Sequence, residues 1–353
     1  MYRLTVEPIG VELDVEEDQT ILDACLRAGV YLPHACVHGL CGTCKVEVLE
    51  GDVDHGDASL FALMDFEREE GKTLACSATL CSDIEIEAEI DEDPDAEHHP
   101  VEDFTATVTR IEDLTSDIKG IWLELPGNGI TFQAGQYINL NVPGVEGARA
   151  FSLANSPTEP NLIELHVRLV EGGKATTWLH EQLSVGDRLE FTGPYGQFFV
   201  RKSAPDPIIF LAGGSGLSSP KSMILDLLEQ GWEKPISLVY GAREQEGLYY
   251  RDLFQELARK YENFSYIPAL SASNGDDGWE GEAGFVHEAA ERCFDNHFEG
   301  HKAYLCGPPP MIDACVTSLM HGRLFEKHIY MEKFLTEADD AQSKTRSPLF
   351  RKI

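Results

Sequence analysis

The sequence predicts a multidomain chain of mixed α+β and α/β class. A small α+β unit comes first, an antiparallel β-barrel second and a parallel α/β unit third. Three observations lead there. Six of the nine cysteines fall in the first hundred residues, which marks that stretch as a unit of its own. From 103 to about 201, short β-type runs are punctuated by Gly and Pro. From about 206, strand and helix patterns alternate. A length of 353 residues suits two or three domains.

Taken in order, Leu4 and Val6, then Val11, Leu13 and Val15, alternate around a turn at Pro8-Ile9-Gly10, as in a β-hairpin. Thr20 caps an amphipathic helix over 21–28 that Gly29 stops. A Cys-bearing, Gly-rich loop follows, then a strand over 45–49. The alternating run 84–88 closes the first sheet. Residues 91–100 hold five acids, two prolines and no large apolar side chain, the composition of a linker. His98 and His99 belong to that solvated stretch. Barrel strands are expected at 105–111, 120–125, 136–142 and 163–170, with one helix near 175–183. In the third unit, strands are expected at 208–211, 236–240, 266–269 and 303–305. Helices are expected at 221–230, with Pro220 at its start, and at 253–261. The expected limits are 1–92, an acidic linker 93–102, the barrel 103–203, the α/β unit 204–337 and a loosely held tail 338–353.

Charge narrows the function. With 61 acidic and 28 basic residues the net charge is −33, which disfavours nucleic acid and anionic lipid as partners. Residues 1–100 alone carry 25 acids against 5 bases. No run of about 18 apolar residues exists and the N-terminus does not read as a signal peptide, so a cytoplasmic protein without a membrane partner is expected. A disulfide framework does not suit the cysteines of such a protein, and a metal site is the alternative.

Cys36, Cys41 and Cys44 are spaced C-x4-C-x2-C. With a distant fourth cysteine this is the plant-type spacing for a 2Fe–2S cluster, whose iron needs soft thiolates. Gly39 and Gly42 let one loop bring three sulphurs together with backbone N–H groups directed at the cluster. Zinc sites pair two short knuckles instead. A Rieske site needs two histidines in another spacing, so His34 and His38 read as loop residues. Cys76 and Cys81 both follow at a loop-like distance, and spacing does not choose between them.

Four further strings carry chemistry. Arg149-Ala150-Phe151-Ser152 combines a guanidinium fork, an aromatic face and a hydroxyl. His166-Val167-Arg168 precedes Gly173-Lys174-Ala175-Thr176, a glycine turn opening a helix, which suits an anion. Gly213-Gly214-Ser215-Gly216 follows a strand and opens another helix, where glycines admit a dinucleotide to the backbone. Cys306-Gly307-Pro308 is a strand-to-helix turn with room beside a small thiol.

Together these strings resemble the reductase components of bacterial multicomponent oxygenases, in detail those of phenol hydroxylases. The resemblance spans nearly the whole chain. It implies a β-grasp 2Fe–2S ferredoxin, an FAD-binding barrel and an NAD-binding α/β domain. It implies Cys36, Cys41, Cys44 and Cys76 as cluster ligands, Leu74-Ala75-Cys76-Ser77 being similar to the family's fourth-ligand segment. It implies that Arg149, Phe151, Ser152, His166, Val167, Arg168, Gly173, Lys174, Ala175 and Thr176 hold FAD. Phe151 stands where the family more often has Tyr, so a hydroxyl contact is lost. Gly213, Gly214, Ser215, Gly216, Cys306, Gly307 and Pro308 then hold the nicotinamide cofactor. Tyr330-Met331-Glu332-Lys333-Phe334 resembles the family's terminal segment, which implies Phe334 as the aromatic cover on the flavin and Glu332 as its polar neighbour. Ser152, Cys306, Glu332 and Phe334 are the implied residues at the reacting centre. Arg243 and Glu246 follow the second α/β strand and are expected at the cofactor ribose, with Glu244 beside them.

The activity so implied is NADH:acceptor oxidoreduction, with electrons passing from NADH through FAD and 2Fe–2S to a diiron oxygenase component acting on an aromatic ring. Three alternatives share part of the pattern. A sodium-pump subunit would need an N-terminal membrane helix. A stand-alone electron carrier would need no flavin or nicotinamide motif. Reductases of ring-hydroxylating dioxygenases or of alkene, toluene or methane monooxygenases use the same chemistry.

Overall fold

A computed structural model describes residues 1–34, 37, 39–90, 93–273 and 278–334. Cys36, His38, the first residues of the linker (91–92) and the tail from 335 lie outside the described residues. The chain forms two compact units, Met1–Asp103 with Thr192–Gln197, and Phe104–Phe191 with the described residues from Phe198 onward. No helix among the described residues is long and apolar enough to cross a membrane.

In the first unit, β1 (Tyr2–Glu7) and β2 (Val11–Val15) form the expected hairpin, Leu4 opposite Leu13. Leu4 and Val6 are buried, as period-two alternation requires of a one-sided sheet. Helix α1 (Ile21–Arg27) starts where Thr20 Oγ1 accepts from Asp23 N at 3.3 Å. It buries Ile21, Leu22, Ala24, Cys25 and Leu26. Then come β3 (Lys45–Glu50), β4 (Val53–Asp54), α2 (Asp65–Glu69), β5 (Lys72–Leu74), β6 (Thr79–Leu80) and β7 (Ile84–Glu87). The main sheet runs β2-β1-β7-β3-β5, with β7 parallel to β1, while β4 and β6 form a separate ribbon. A mixed sheet of this order with one helix crossing it is a β-grasp.

The second sheet is built from β8 (Glu102–Asp113), β9 (Ile118–Glu124), β10 (Tyr137–Asn141), β11 (Arg149–Ser152), β12 (Leu162–Arg168) and β13 (Arg188–Tyr195), with α3 (Lys174–Glu181) between the last two. Its order is β11-β10-β13-β8-β9-β12. An antiparallel bridge from Leu153 to Leu165 joins its two edges and nearly closes a barrel. Leu123, Ile138, Leu140, Ile163 and Leu165 fill the interior, each fully buried.

The third sheet is parallel throughout, in the order β17-β16-β15-β14-β18-β19. Its elements are β14 (Ile208–Gly213), α4 (Ser218–Glu229), β15 (Ile236–Ala242), α5 (Arg251–Lys260), β16 (Phe264–Leu270), β17 (Glu282–Ala283), α6 (Val286–Cys293), β18 (Lys302–Gly307), α7 (Pro309–His321) and β19 (Ile329–Lys333). Ile208, Phe210 and Ala212 pack on one face of the sheet, Ile209 and Leu211 on the other. Burial on both faces is why β14 reads as an unbroken apolar run. Helix α4 begins three residues earlier than the sequence pattern predicts. The glycine loop coils into a short 3-10 turn, Gly214–Leu217, that feeds the helix, and Pro220 sits in its first turn, where no backbone N–H is needed. Strand order reverses between β14 and β18, the switch point where open α/β sheets bind their ligands.

Candidate functional site

The cysteine loop is shaped by two glycines with left-handed backbone, Gly39 (φ +73°) and Gly42 (φ +76°). A Cβ on Gly39 would meet Ala58 Cα at 3.3 Å, and one on Gly42 would meet Ala62 O at 3.3 Å. The loop is thus pressed against segment 57–62 in a form that side chains would hinder. Cys76 lies in the turn after β5, a turn tied to α1 because Leu22 N donates to Ala75 O and Ile21 N to Ala78 O. Cys44 and Cys76 are buried, and a hydrogen bond from Cys76 lowers the Cys44 thiol below its ordinary value, the direction thiolate ligation requires. Gly39 N donates to Cys76 Sγ at 3.3 Å. Buried sulphurs with an N–H aimed at one of them fit an iron–sulphur cluster. Cys41 is exposed on the same loop, and the expected ligand Cys36 lies outside the described residues. Cys81 is exposed at the end of β6, with its N–H donating to Asp52 O. Cys25 and Cys315 are core residues whose thiols burial pushes up to about 12, and Cys293 is exposed.

A second centre gathers at the switch point. Cys306 lies on β18 between Ala212 of β14 and Glu332 of β19 in the parallel register. The Glu332 carboxylate accepts from Ser152 Oγ at 3.2 Å, from Ser219 Oγ at 2.9 Å and from Cys306 Sγ at 3.7 Å. Ser152 ends barrel strand β11, and Ser219 stands in the first turn of α4. Burial raises the Glu332 carboxyl to about 7, against the opposing hydrogen bonds of the two serines. Burial also holds the Cys306 thiol well above its ordinary value, so it stays protonated. Phe334 is half-buried beside this centre, its N–H donating to Gly307 O at 3.0 Å. The glycine loop lies against β18. A Cβ on Gly216 would fall 2.4 Å from Cys306 O, and one on Gly213 would fall 2.5 Å from Met311 Sδ. Both are places where a backbone must come close.

The remaining expected residues divide into two groups. Arg149 Nη1 donates to the carbonyls of Glu146, Gly147 and Ala148, all at 3.1 Å, which closes the turn before β11. Phe151 packs on the barrel core. Gly173 caps α3, and Thr176 Oγ1 accepts from Val170 N at 3.1 Å. A cleft of about 670 Å³ opens there, lined by Gly144, Val145, Gly172, Lys174, Thr177 and Trp178. A lysine, a hydroxyl and a helix N-terminus around one cleft suit a diphosphate. Arg243 and Glu246 are exposed just beyond the C-terminal end of β15, as is Glu244.

His166, in contrast, is fully enclosed. Its Nε2 lies 2.8 Å from Glu164 Oε1 and its Nδ1 lies 3.0 Å from the Tyr249 hydroxyl. Glu164 is also paired with Lys221 Nζ at 2.8 Å and accepts from the Tyr250 hydroxyl. Burial lowers the His166 imidazole and would raise Glu164, but His166 and Lys221 together hold Glu164 well below the usual carboxylate range. The Tyr249 hydroxyl lies 3.3 Å from Gly214 O, so this buried network runs from barrel strand β12 to the glycine loop. Ser219, Glu164, Lys221 and Tyr249 were not expected from sequence as parts of a site. The available signal was a charged residue within an apolar element, Glu164 in β12 and Lys221 in α4.

Against known proteins, three family descriptions match in order. They are the 2Fe-2S iron-sulfur cluster binding domain over residues 4–81, the oxidoreductase FAD-binding domain over 105–200 and the oxidoreductase NAD-binding domain over 210–317. The chain is 59% identical over 352 residues to the phenol hydroxylase P5 protein of Acinetobacter pittii (strain PHEA-2), covering 100% of this chain and 99% of that one. It is 58% identical to the phenol 2-monooxygenase reductase component DmpP of Pseudomonas sp. (strain CF600), with the same coverage. Among solved structures, the Amycolatopsis cytochrome P450 reductase GcoB superposes with a TM-score of 0.87 at 36% identity, covering 95% of this chain and 99% of that one. The ferredoxin reductase of carbazole 1,9a-dioxygenase superposes with a TM-score of 0.78 at 27% identity, covering 95% and 98%.

Proposed function

Because the chain belongs to the family of phenol hydroxylase reductase components, an NADH-dependent FAD and 2Fe–2S oxidoreductase family, we propose that it supplies electrons to the diiron oxygenase of a phenol 2-monooxygenase in the cytoplasm. The observation that carries the reading is the convergence on Glu332. A serine from the barrel, a serine from the start of α4 and a cysteine from the other side of the switch point meet at one carboxylate.

Bound at these sites, FAD would supply two-electron hydride acceptance from NADH and a 2Fe–2S cluster would supply one-electron relay. The chain's own residues supply binding and alignment. Lys174, Thr177 and the N-terminus of α3 would hold the flavin diphosphate, with Arg149 at the neighbouring turn. Gly213 and Gly216 leave the backbone open to the dinucleotide, Cys306 and Gly307 would leave space for its ring, and Phe334 would cover the flavin. Ser152 and Ser219 orient the Glu332 carboxyl. Cys36, Cys41, Cys44 and Cys76 would hold the iron, with Gly39 N–H donating to the Cys76 sulphur. The test is reconstitution of the purified chain with oxygenase, NADH, phenol and dioxygen. Hydroxylated product that requires this chain is expected. Intact NADH-dependent dye reduction without any product would overturn the assignment of phenol as substrate.

Cofactor choice follows from the end of β15. Glu244 and Glu246 would repel a 2′-phosphate and can bond a ribose diol. The kcat/KM for NADH is expected to exceed that for NADPH by roughly tenfold or more, and Glu246→Arg to narrow the gap. Equal efficiency with both nucleotides in the wild type would contradict this.

A further inference from the structure

Thirteen large apolar side chains are exposed among the described residues, and four of them fall within seven positions: Leu60 (62% exposed), Phe61 (57%), Met64 (45%) and Phe66 (53%). They sit on the segment that backs the cysteine loop. Ser59 N donates to Gly39 O at 3.0 Å, and the loop glycines press on Ala58 and Ala62. Ala58, Ala62 and Leu63 are buried, so the segment is anchored through its other face. The apolar side chains are what it turns outward, on a segment that packs on the cysteine loop at Gly39 and Gly42.

The surrounding charge is one-sided. Asp57, Asp65 and Glu69 are exposed, and Arg68 is the only Lys or Arg between 51 and 71. Its Nη2 turns back to Ala58 O at 3.2 Å. Glu67 and Glu70 are paired with Lys45 and Lys72. An apolar centre with an acidic rim is the anatomy of a partner-binding patch. A second copy of this chain would set acid against acid, so the complementary partner has apolar pockets ringed by Lys and Arg.

We infer that Leu60, Phe61, Met64 and Phe66 form the docking face for the oxygenase component, with the aromatic pair as anchors and the acidic rim steering encounter. This rests on the proposed function, which requires an electron acceptor at the cysteine loop. The four apolar side chains set the lifetime of the complex. The rim sets its association rate, which falls with added salt.

The test uses full-length holoprotein: wild type, a Leu60→Ser/Phe61→Ser double variant, and Val185→Ser. Val185 is 62% exposed and lies in the other unit. Each is titrated onto the immobilised oxygenase of the phenol 2-monooxygenase from Pseudomonas sp. strain CF600 and assayed in coupled phenol hydroxylation. The double variant is expected to raise both the Kd and the KM for oxygenase by roughly tenfold or more. Its stopped-flow reduction by NADH and its iron–sulphur spectrum should match wild type, and Val185→Ser should bind as wild type does. A double-variant Kd within about twofold of wild type would overturn the docking face alone. A wild-type dimer in sedimentation that the double variant abolishes would overturn it in favour of a second copy. Failure of the wild type to bind that oxygenase would overturn both the docking face and the proposed partner.

Discussion

Cys76→Ala is expected to yield a protein that keeps FAD and loses its cluster, while Cys81→Ala keeps both. Cys76 is buried, hydrogen-bonded with Cys44 and the acceptor of Gly39 N–H, whereas Cys81 is exposed beyond the β4–β6 ribbon. Removing one of four thiolates leaves iron with an incomplete ligand set that water reaches. Iron content should drop from about two atoms per chain towards none, and the visible iron–sulphur bands should vanish. FAD should remain because the barrel residues expected to hold it belong to the other compact unit. The Cys76→Ala protein should still reduce a two-electron dye with NADH. Cytochrome c reduction, which needs the cluster, should fall to background. A Cys76→Ala protein with full iron, or a Cys81→Ala protein without it, would reverse the assignment.

Glu332→Gln should produce opposite effects on stability and rate. Burial pushes the Glu332 carboxyl up to about 7, against 4.5 for the ordinary group. The native state therefore keeps a proton that the unfolded chain releases. The stability this proton contributes is full below pH 4.5 and is lost as pH rises through about 7. The interval corresponds to about 3 kcal/mol. Glutamine has the same shape and cannot ionise, so the variant should match wild type near pH 4 and be the more stable by about that amount at pH 8. Urea unfolding across this range reads the difference directly, and a gap that does not change with pH would refute the titration. In the holoprotein the same substitution should slow NADH reduction of bound FAD by roughly tenfold or more, where each tenfold step equals about 1.4 kcal/mol of barrier. An unchanged rate would remove Glu332 from the reacting centre.

Much of the fold was legible because it is encoded by local chemistry. The alternation of Leu4 and Val6 with Val11, Leu13 and Val15 can satisfy only a hairpin with one buried face. Thr20 and Gly29 mark the ends of α1 because backbone groups at helix termini need partners or left-handed geometry close by in sequence. The cysteine spacing in the first unit is likewise local, since one loop must bring its sulphurs together. Short elements such as β4 and β6 escaped notice because two residues carry no period.

Contacts between distant segments were a different matter. Ser219 and Ser218 are equivalent in sequence as hydroxyls at a helix start. Only the packing of β19 beside β18 decides that Ser219 reaches Glu332 while Ser218 bonds Ser215 O. Nothing near Glu164 foretells Lys221, 57 residues away, or Tyr249, because their meeting depends on how α4 and the turn after β15 lie against the barrel strand. Leu60, Phe61, Met64 and Phe66 are apolar, and only the tertiary structure turns them to solvent by using Ala58, Ala62 and Leu63 as the inner face. Periodicity, caps and ligand spacing are properties of neighbours along the chain, so the sequence by itself determined the order of the three domains and the iron–sulphur spacing, while FAD and NAD followed from the resemblance of short strings to a known family. Burial and the raised carboxyl of Glu332 are properties of neighbours in space, and only the folded chain creates them.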